Sequence, residues 1–295
     1  MGDYLGKRFD VRVERDVKYA VGGVDFTKGL RYRDLKLDVY SPVGDAGGAR
    51  PALILAFGGA FHRGSKETDE FGDAEGYSTP VAEYCRLFAA RGYVCFCIDY
   101  RLTQEDCEGG VTPVLDPAEP MNKDRVNVVR GMLGLPPATD DELARGIEAA
   151  TDDMVHAIGF VRSRSRHYGV DIHRIAIGGF SAGAVISLAA AFVERAPVAA
   201  VISLSGRLSE TARRTCVTGA ADEPAVLMFV GDRDLPVMAE AAPPMAARFE
   251  EVGARYRLER LANSTHFYPK TTPTSGGADV ETTMASFLKE ALRLG

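Results

Sequence analysis

Over 295 residues the chain carries 35 lysines and arginines against 41 aspartates and glutamates, a formal net charge of −6. That balance argues against nucleic acid or an anionic membrane surface as the main partner. At 46% apolar and 26% charged residues it has an ordinary globular composition, long enough for one large α/β domain or two small ones.

The N-terminal stretch Met1–Arg8 lacks the apolar h-region of a secretory signal, and no apolar run approaches membrane-spanning length. Residues 9–40 alternate, as in Val11-Arg12-Val13 and Leu35-Lys36-Leu37-Asp38-Val39-Tyr40, which predicts antiparallel, half-exposed strands. Ser41-Pro42 and the Gly44–Gly48 stretch predict a turn. Ala52–Phe57 is a continuous apolar run, as expected of a strand covered on both faces. A long loop is expected from Gly58 to about Thr79, then a helix over Pro80–Ala90 ended by Gly92, then a strand over Tyr93–Asp99. Further strands are predicted at Ile172–Ile177, Val198–Leu204, Ala225–Val230 and Tyr256–Leu261. Helices are predicted from Glu142 to about Tyr168, and over Ala182–Glu194, Met245–Val252 and Val280–Leu294. This alternation implies a single α/β domain with a mostly parallel sheet, helices on both faces and an antiparallel edge made by the first strands. Residues 103–141, with five prolines, break the rhythm and predict a partly helical cap or lid insertion over the sheet.

Five cysteines are an odd count, with no CxxC pair and no Cys/His cluster at zinc spacing. Reduced thiols in a cytoplasmic protein without a metal are expected, and a Cys107–Cys216 bridge stays open.

Gly179-Phe180-Ser181-Ala182-Gly183 is a G-x-S-x-G segment with an apolar strand before it and an apolar helix after it. A serine in such a turn has its hydroxyl held out at the top of a sheet, and the small flanking residues let the backbone turn sharply. Its hydroxyl needs a base, and the base an orienting acid. Of the five histidines, only His62 and His266 follow the carboxyl ends of strands, where chemistry gathers in an open parallel sheet. In G-x-S-x-G hydrolases the base comes last in chain order, which selects His266. The acid is expected after the strand ending at Val230, where Asp232 and Asp234 compete. Oxyanion donors are expected from the N–H of Ala182 and from the loop Phe57-Gly58-Gly59-Ala60-Phe61.

Together these residues resemble the α/β-hydrolase fold and, within it, the carboxylesterases akin to hormone-sensitive lipase. Four segments carry the resemblance. Phe57-Gly58-Gly59-Ala60-Phe61-His62-Arg63-Gly64 is similar to the family's oxyanion loop, and Asp99-Tyr100-Arg101-Leu102 to the end of its next strand. Tyr168 to Ala184 is similar to the run into the nucleophile elbow, and Gly231-Asp232-Arg233-Asp234 with His266 to the acid and base. The family pattern Gly-x-x-Asp makes Asp234 the acid, and the resemblance implies oxyanion donors at Gly59, Ala60 and Ala182. Two departures stand out. The family's leading histidine is Phe57, so the loop must be braced from elsewhere, with His62 or Arg63 as candidates. The family's Ala-Pro-Glu is Thr103-Gln104-Glu105.

The chemistry expected is hydrolysis of a small or medium-sized carboxylic ester through an acyl-enzyme on Ser181, Asp234 and His266, with no cofactor. Phe61, His62 and Arg63 are candidate substrate contacts. Arg63 and Arg101 are candidates for a substrate carboxylate. Phe71, Tyr77, Val111, Leu115, Met132 and Leu133 are candidate pocket walls. The same triad acting as an amidase, thioesterase, lactonase or acyltransferase stays open, as does a ligand receptor on a hydrolase fold. A homodimer is allowed by the resemblance alone.

Overall fold

Period-two alternation in the first forty residues becomes a long antiparallel hairpin. The computed structural model describes residues 4–44, 48–67, 70–111 and 113–295. The start of the chain, Met1–Asp3, and the middle of the turn expected at Gly44–Gly48 lie outside the described residues.

Strand β1 (Val11–Val24) pairs with β2 (Arg31–Pro42) across a single helical turn, α1 (Phe26–Gly29). Next come β3 (Arg50–Ala56), α2 (Val81–Ala90) and β4 (Val94–Ile98), then α3 (Asp124–Met132), α4 (Asp140–Ser163) and α5 (Ser165–Tyr168). The chain continues through β5 (Val170–Phe180), α6 (Ala182–Phe192), β6 (Ala200–Leu204), α7 (Glu210–Cys216) and β7 (Ala225–Gly231). It ends in α8 (Pro236–Glu251), β8 (Tyr256–Leu261) and α9 (Val280–Ala291). The strands form one sheet in the order β1-β2-β4-β3-β5-β6-β7-β8. β1–β2 and β2–β4 are antiparallel, and every pair from β4 to β8 is parallel.

All residues of β3, β4, β6 and β7 are buried, which is why these strands read as continuous apolar runs. From β3 the chain crosses toward β4, and from β5 it crosses the other way toward β6. Right-handed crossovers therefore put helices on both faces and open a crevice at the carboxyl ends of β3 and β5. Helix α6 packs on β3, β5 and β6 with α4 laid against it, while α9 packs on β6 and β7. Among the described residues, no helix is long and apolar enough to cross a membrane.

Three differences from the sequence reading have local causes. Helix α4 begins at Asp140, because Thr139 and Glu142 form a reciprocal capping box. Helix α8 begins at Pro236, a residue suited to the first helical position, and runs on through Pro243 and Pro244. Helix α7 was not expected; it is capped by Ser209, whose hydroxyl accepts from the Ala212 N–H.

Arg101 is not available to a substrate. It follows β4 and its guanidinium is clamped by buried Asp153 of α4, through Nε at 3.1 Å and Nη2 at 2.9 Å. The same carboxylate accepts from the Arg101 backbone N–H at 2.7 Å. Further bonds run to the carbonyls of Ala149, Gly23 and Glu108, so this side chain ties together β1, α4 and the start of the insertion. Removing one member of a buried pair leaves the other charge uncompensated, at a cost of about 3–5 kcal/mol. Asp153→Ala is expected to lose that much in urea unfolding; a loss below about 1 kcal/mol would contradict this role for the pair.

Candidate active site

Ser181 follows the end of β5 and occupies the N-cap position of α6 with φ 53° and ψ −115°, a backbone conformation that costs about 1–3 kcal/mol and must be held by its surroundings. Its N–H bonds the Leu204 carbonyl at 2.8 Å. The neighbouring glycines are sterically required. A Cβ on Gly179 would lie 2.4 Å from the Ala56 carbonyl oxygen, and one on Gly183 would lie 2.1 Å from it. The end of β5 and the start of α6 are thus pressed directly onto the end of β3.

The serine hydroxyl lies 2.9 Å from His266 Nε2, and His266 Nδ1 lies 2.6 Å from Asp234 Oδ1. All three residues are buried. Asp234 Oδ1 also accepts from the Leu235 N–H at 2.7 Å. Its Oδ2 accepts from the Ser205 hydroxyl at 2.6 Å and the Gly231 N–H at 3.2 Å. The Ser205 hydroxyl in turn lies 3.0 Å from that of Tyr268; because Ser205 donates to Asp234, Tyr268 donates to Ser205. A carboxylate with this many donors is held in one orientation. Asp232 does different work: it accepts from the N–H groups of Asn263 and Ser264 and so fixes the loop that presents His266. Ser205 and Tyr268 went unnoticed in the sequence. The available signal was Ser205's place just past the carboxyl end of β6.

The loop after β3 is tightly folded. Gly59, Ala60 and Phe61 all have positive φ, of 109°, 56° and 62°. A Cβ on Gly59 would lie 2.0 Å from the Arg63 carbonyl oxygen. Among the described residues, the N–H groups of Gly59 and Ala60 donate to no backbone acceptor. The Ala182 N–H opens α6, with no preceding turn to bond.

Phe57 stacks on Tyr100 at 4.4 Å between centroids. The Tyr100 hydroxyl donates to the carbonyls of Phe57, at 3.0 Å, and Gly58, at 3.3 Å. A second brace comes from His62. Its Nδ1 donates to the Ala60 carbonyl at 2.7 Å and its Nε2 accepts from Arg130 Nη1 of α3 at 3.1 Å. Two such partners require a neutral ring with the proton on Nδ1. His62 is fully buried behind the loop, so the expectation that it contacts substrate is corrected: its side chain braces the loop from behind.

One cleft beside Ser181 has a volume of about 120 Å³ and is mostly apolar. Phe61, Leu115, Val126, Val185 and Met238 line it, so the insertion supplies one wall. The insertion is anchored opposite, where Glu119 accepts from the Glu210 and Thr211 N–H groups at 2.8 and 3.0 Å. A second face of the site, with Arg63, Phe71 and Arg125, adjoins His266. Met132 lines the outer mouth there. Two expected wall residues instead face solvent: Val111 is 90% exposed and Tyr77 62%. Leu133 is exposed as well. Cys107 and Cys216 are both free thiols. Among the described residues, no group of three or more His, Cys, Asp or Glu side chains could hold a metal.

Burial lowers the affinity of the His62 ring for a second proton; the Ala60 carbonyl pulls the other way, and the Arg130 charge adds to the lowering. The folded state therefore takes up that proton less readily than the unfolded chain, whose histidine titrates near 6.5. This contribution to stability is complete above that value and is lost as pH falls through the depressed folded value. Between about pH 7 and about pH 5, His62→Gln is expected to lose less stability than the wild type in urea melts. Equal losses would contradict the neutral brace.

Comparison with known proteins adds three findings. The sequence model of a phospholipase/carboxylesterase family matches residues 138–267, less than half of the chain but including Ser181, Asp234 and His266. A search of curated proteins finds no match. Among solved structures, esterase 2 of Thermogutta terrifontis phosphorylated by paraoxon is similar at 20% identity and a TM-score of 0.59, covering 94% of each chain. The propionate-bound esterase of the same planctomycete has 20% identity and a TM-score of 0.56, covering 98% of this chain and 94% of that one. A truncated carbohydrate esterase from gut microbiota has 16% identity and a TM-score of 0.60, covering 97% and 98%. The chain has the α/β-hydrolase fold, and its central segment is carboxylesterase-like in sequence.

Proposed function

We propose that the protein is a serine carboxylester hydrolase in which Ser181 is the nucleophile, His266 the general base and Asp234 the orienting acid. The observation that carries this reading is the unbroken chain of short hydrogen bonds from Ser181 through His266 to Asp234 at the carboxyl ends of the strands. His266 Nε2 takes the Ser181 proton as Oγ attacks the ester carbonyl. Asp234 stabilises the imidazolium that forms. The N–H groups of Gly59, Ala60 and Ala182 receive the oxyanion. His266 then returns the proton to the leaving alcohol and activates the water that releases the acyl-enzyme.

The apolar cleft suits an acyl chain of a small-molecule ester. Residues 103–141 act as a cap within a single domain, supported by their share of the cleft wall and their anchor on α7. The oxyanion-loop and Tyr100-Arg101-Leu102 segments favour the hormone-sensitive-lipase-like esterases within the fold. Five free cysteines suit a reducing, cytoplasmic setting.

Steady-state hydrolysis of short p-nitrophenyl esters tests the assignment. Ser181→Ala is expected to lower kcat by about 10⁶ and Asp234→Asn by about 10⁴, both with unchanged thermal melts. Wild-type rates in Ser181→Ala would overturn it.

A further inference from the structure

On the His266 side of the site, two arginines face the cleft and, among the described residues, neither is hydrogen-bonded or ion-paired to a carboxylate. Arg63 and Arg125 line this face together with Ser181, His266 and Phe267. Each guanidinium lies over an aromatic ring, Arg63 over Phe71 at 5.2 Å and Arg125 over Phe267 at 5.6 Å. Stacking of this kind holds the plane in place and leaves the N–H edges free for a ligand. The Arg63 Nε is buried and has no hydrogen-bond acceptor among the described residues. Neither guanidinium makes an ion pair within 4 Å among the described residues.

Of the nearby acids, Asp73 shares the outer mouth with the two arginines and attracts Arg125, and none forms a direct ion pair with either among the described residues. Asp73 accepts from the Glu75 and Gly76 N–H groups, Glu75 pairs with Arg233, and Asp234 serves His266. Burial, then the charge of Arg63, pulls the Arg125 guanidinium below the usual arginine range, against an opposing pull from Asp73. Two like charges beside the serine with no directly paired carboxylate cost stability that the more distant Asp73 offsets only in part, and a bound anion reduces that cost.

We infer that Arg63 and Arg125 bind a carboxylate on the alcohol half of the ester substrate. This rests on the esterase reading, which also fixes the side. His266 Nε2 must protonate the leaving oxygen, so the alcohol extends over the face that His266 shares with the two arginines. The acyl chain then occupies the apolar cleft lined by Phe61 and Val185. Ser181 Oγ bonds the acyl carbon, the acyl–oxygen bond of the ester breaks, and the departing alkoxide takes the proton from His266. The products are a hydroxy acid and, after hydrolysis of the acyl-enzyme, a carboxylic acid.

The test compares the butyryl ester of γ-hydroxybutyrate with butyl butyrate, followed by pH-stat titration. Wild-type kcat/KM is expected to favour the anionic ester by about 10- to 100-fold, mainly through KM, with the preference shrinking as salt is added. Arg63→Met should bring the ratio toward one, and Arg63→Glu should take it below one. Monobutyl adipate, with its carboxylate on the acyl half, should show no such advantage over butyl caproate. A wild-type ratio near or below one would overturn the proposal without recourse to any variant. So would a ratio that Arg63→Met and Arg63→Glu leave unchanged, or an equal advantage for monobutyl adipate. Hydrolysis of butyl butyrate with no charge preference would sink the arginine site alone. If no ester in the panel is hydrolysed in a Ser181-dependent way, the esterase reading itself fails.

Discussion

The Ala56 carbonyl is the point on which the site depends. Gly179 and Gly183 approach it so closely that a Cβ on either would overlap it. Two glycines two residues either side of Ser181 thus let the end of β5 and the start of α6 sit directly on the end of β3. The chain leaves β3 straight into Phe57-Gly58-Gly59-Ala60. The close approach therefore brings the serine, the free N–H groups of the loop and the Ala182 N–H to one place. Ser181 pays for this in a strained backbone, which the Leu204 carbonyl and the packing of α6 hold.

Around that point the insertion is structurally coupled to the chemistry. Arg130 of α3 reaches His62, and His62 reaches the carbonyl of Ala60. The insertion's first residue adds another tie, since the Thr103 N–H bonds the Phe61 carbonyl at 2.8 Å. Three consecutive positive-φ residues would relax if left alone, and these contacts with Tyr100 below them keep the loop folded. Movement of α3 would therefore be felt at the proposed oxyanion donors as well as at the cleft wall. Precise placement matters there, because donors act only on the position the oxyanion will occupy.

Much of this was legible in the chain itself. The parallel strands stand out because burial on both faces demands unbroken apolar runs such as Ala52–Phe57, and the serine elbow because its glycines are sterically forced. What stayed hidden depends on partners distant in sequence. The brace that compensates for Phe57 is a tyrosine just past the end of β4 and a histidine held by an arginine 68 residues away. Arg101 looks available as a lone cation and is in fact clamped by Asp153. Arg63 looks the same in sequence but has no such carboxylate clamp among the described residues. Helix α8 was shortened in the sequence reading by Pro243-Pro244, whose usual meaning as a helix break is overridden here. Asp232 and Asp234 are indistinguishable by composition; the Gly-x-x-Asp resemblance favours Asp234, and in space one sits on the His266 loop backbone and the other on its imidazole.

The charge distribution follows the same division. The apolar cleft is built from the insertion, α6 and the start of α8, while the arginine face is built from the oxyanion loop and α3. On the proposed function, a nucleophile at Ser181 between two chemically different walls would give a substrate a direction before any bond breaks. The claim at the centre is that the strained serine of the elbow is the reactive group. Labelling the wild-type protein with a fluorophosphonate and mapping the adduct by mass spectrometry tests it most directly. The peptide containing Ser181 is expected to carry the phosphonyl group in a single modification. Ester hydrolysis that persists without label on Ser181, or label borne by another residue, would contradict it.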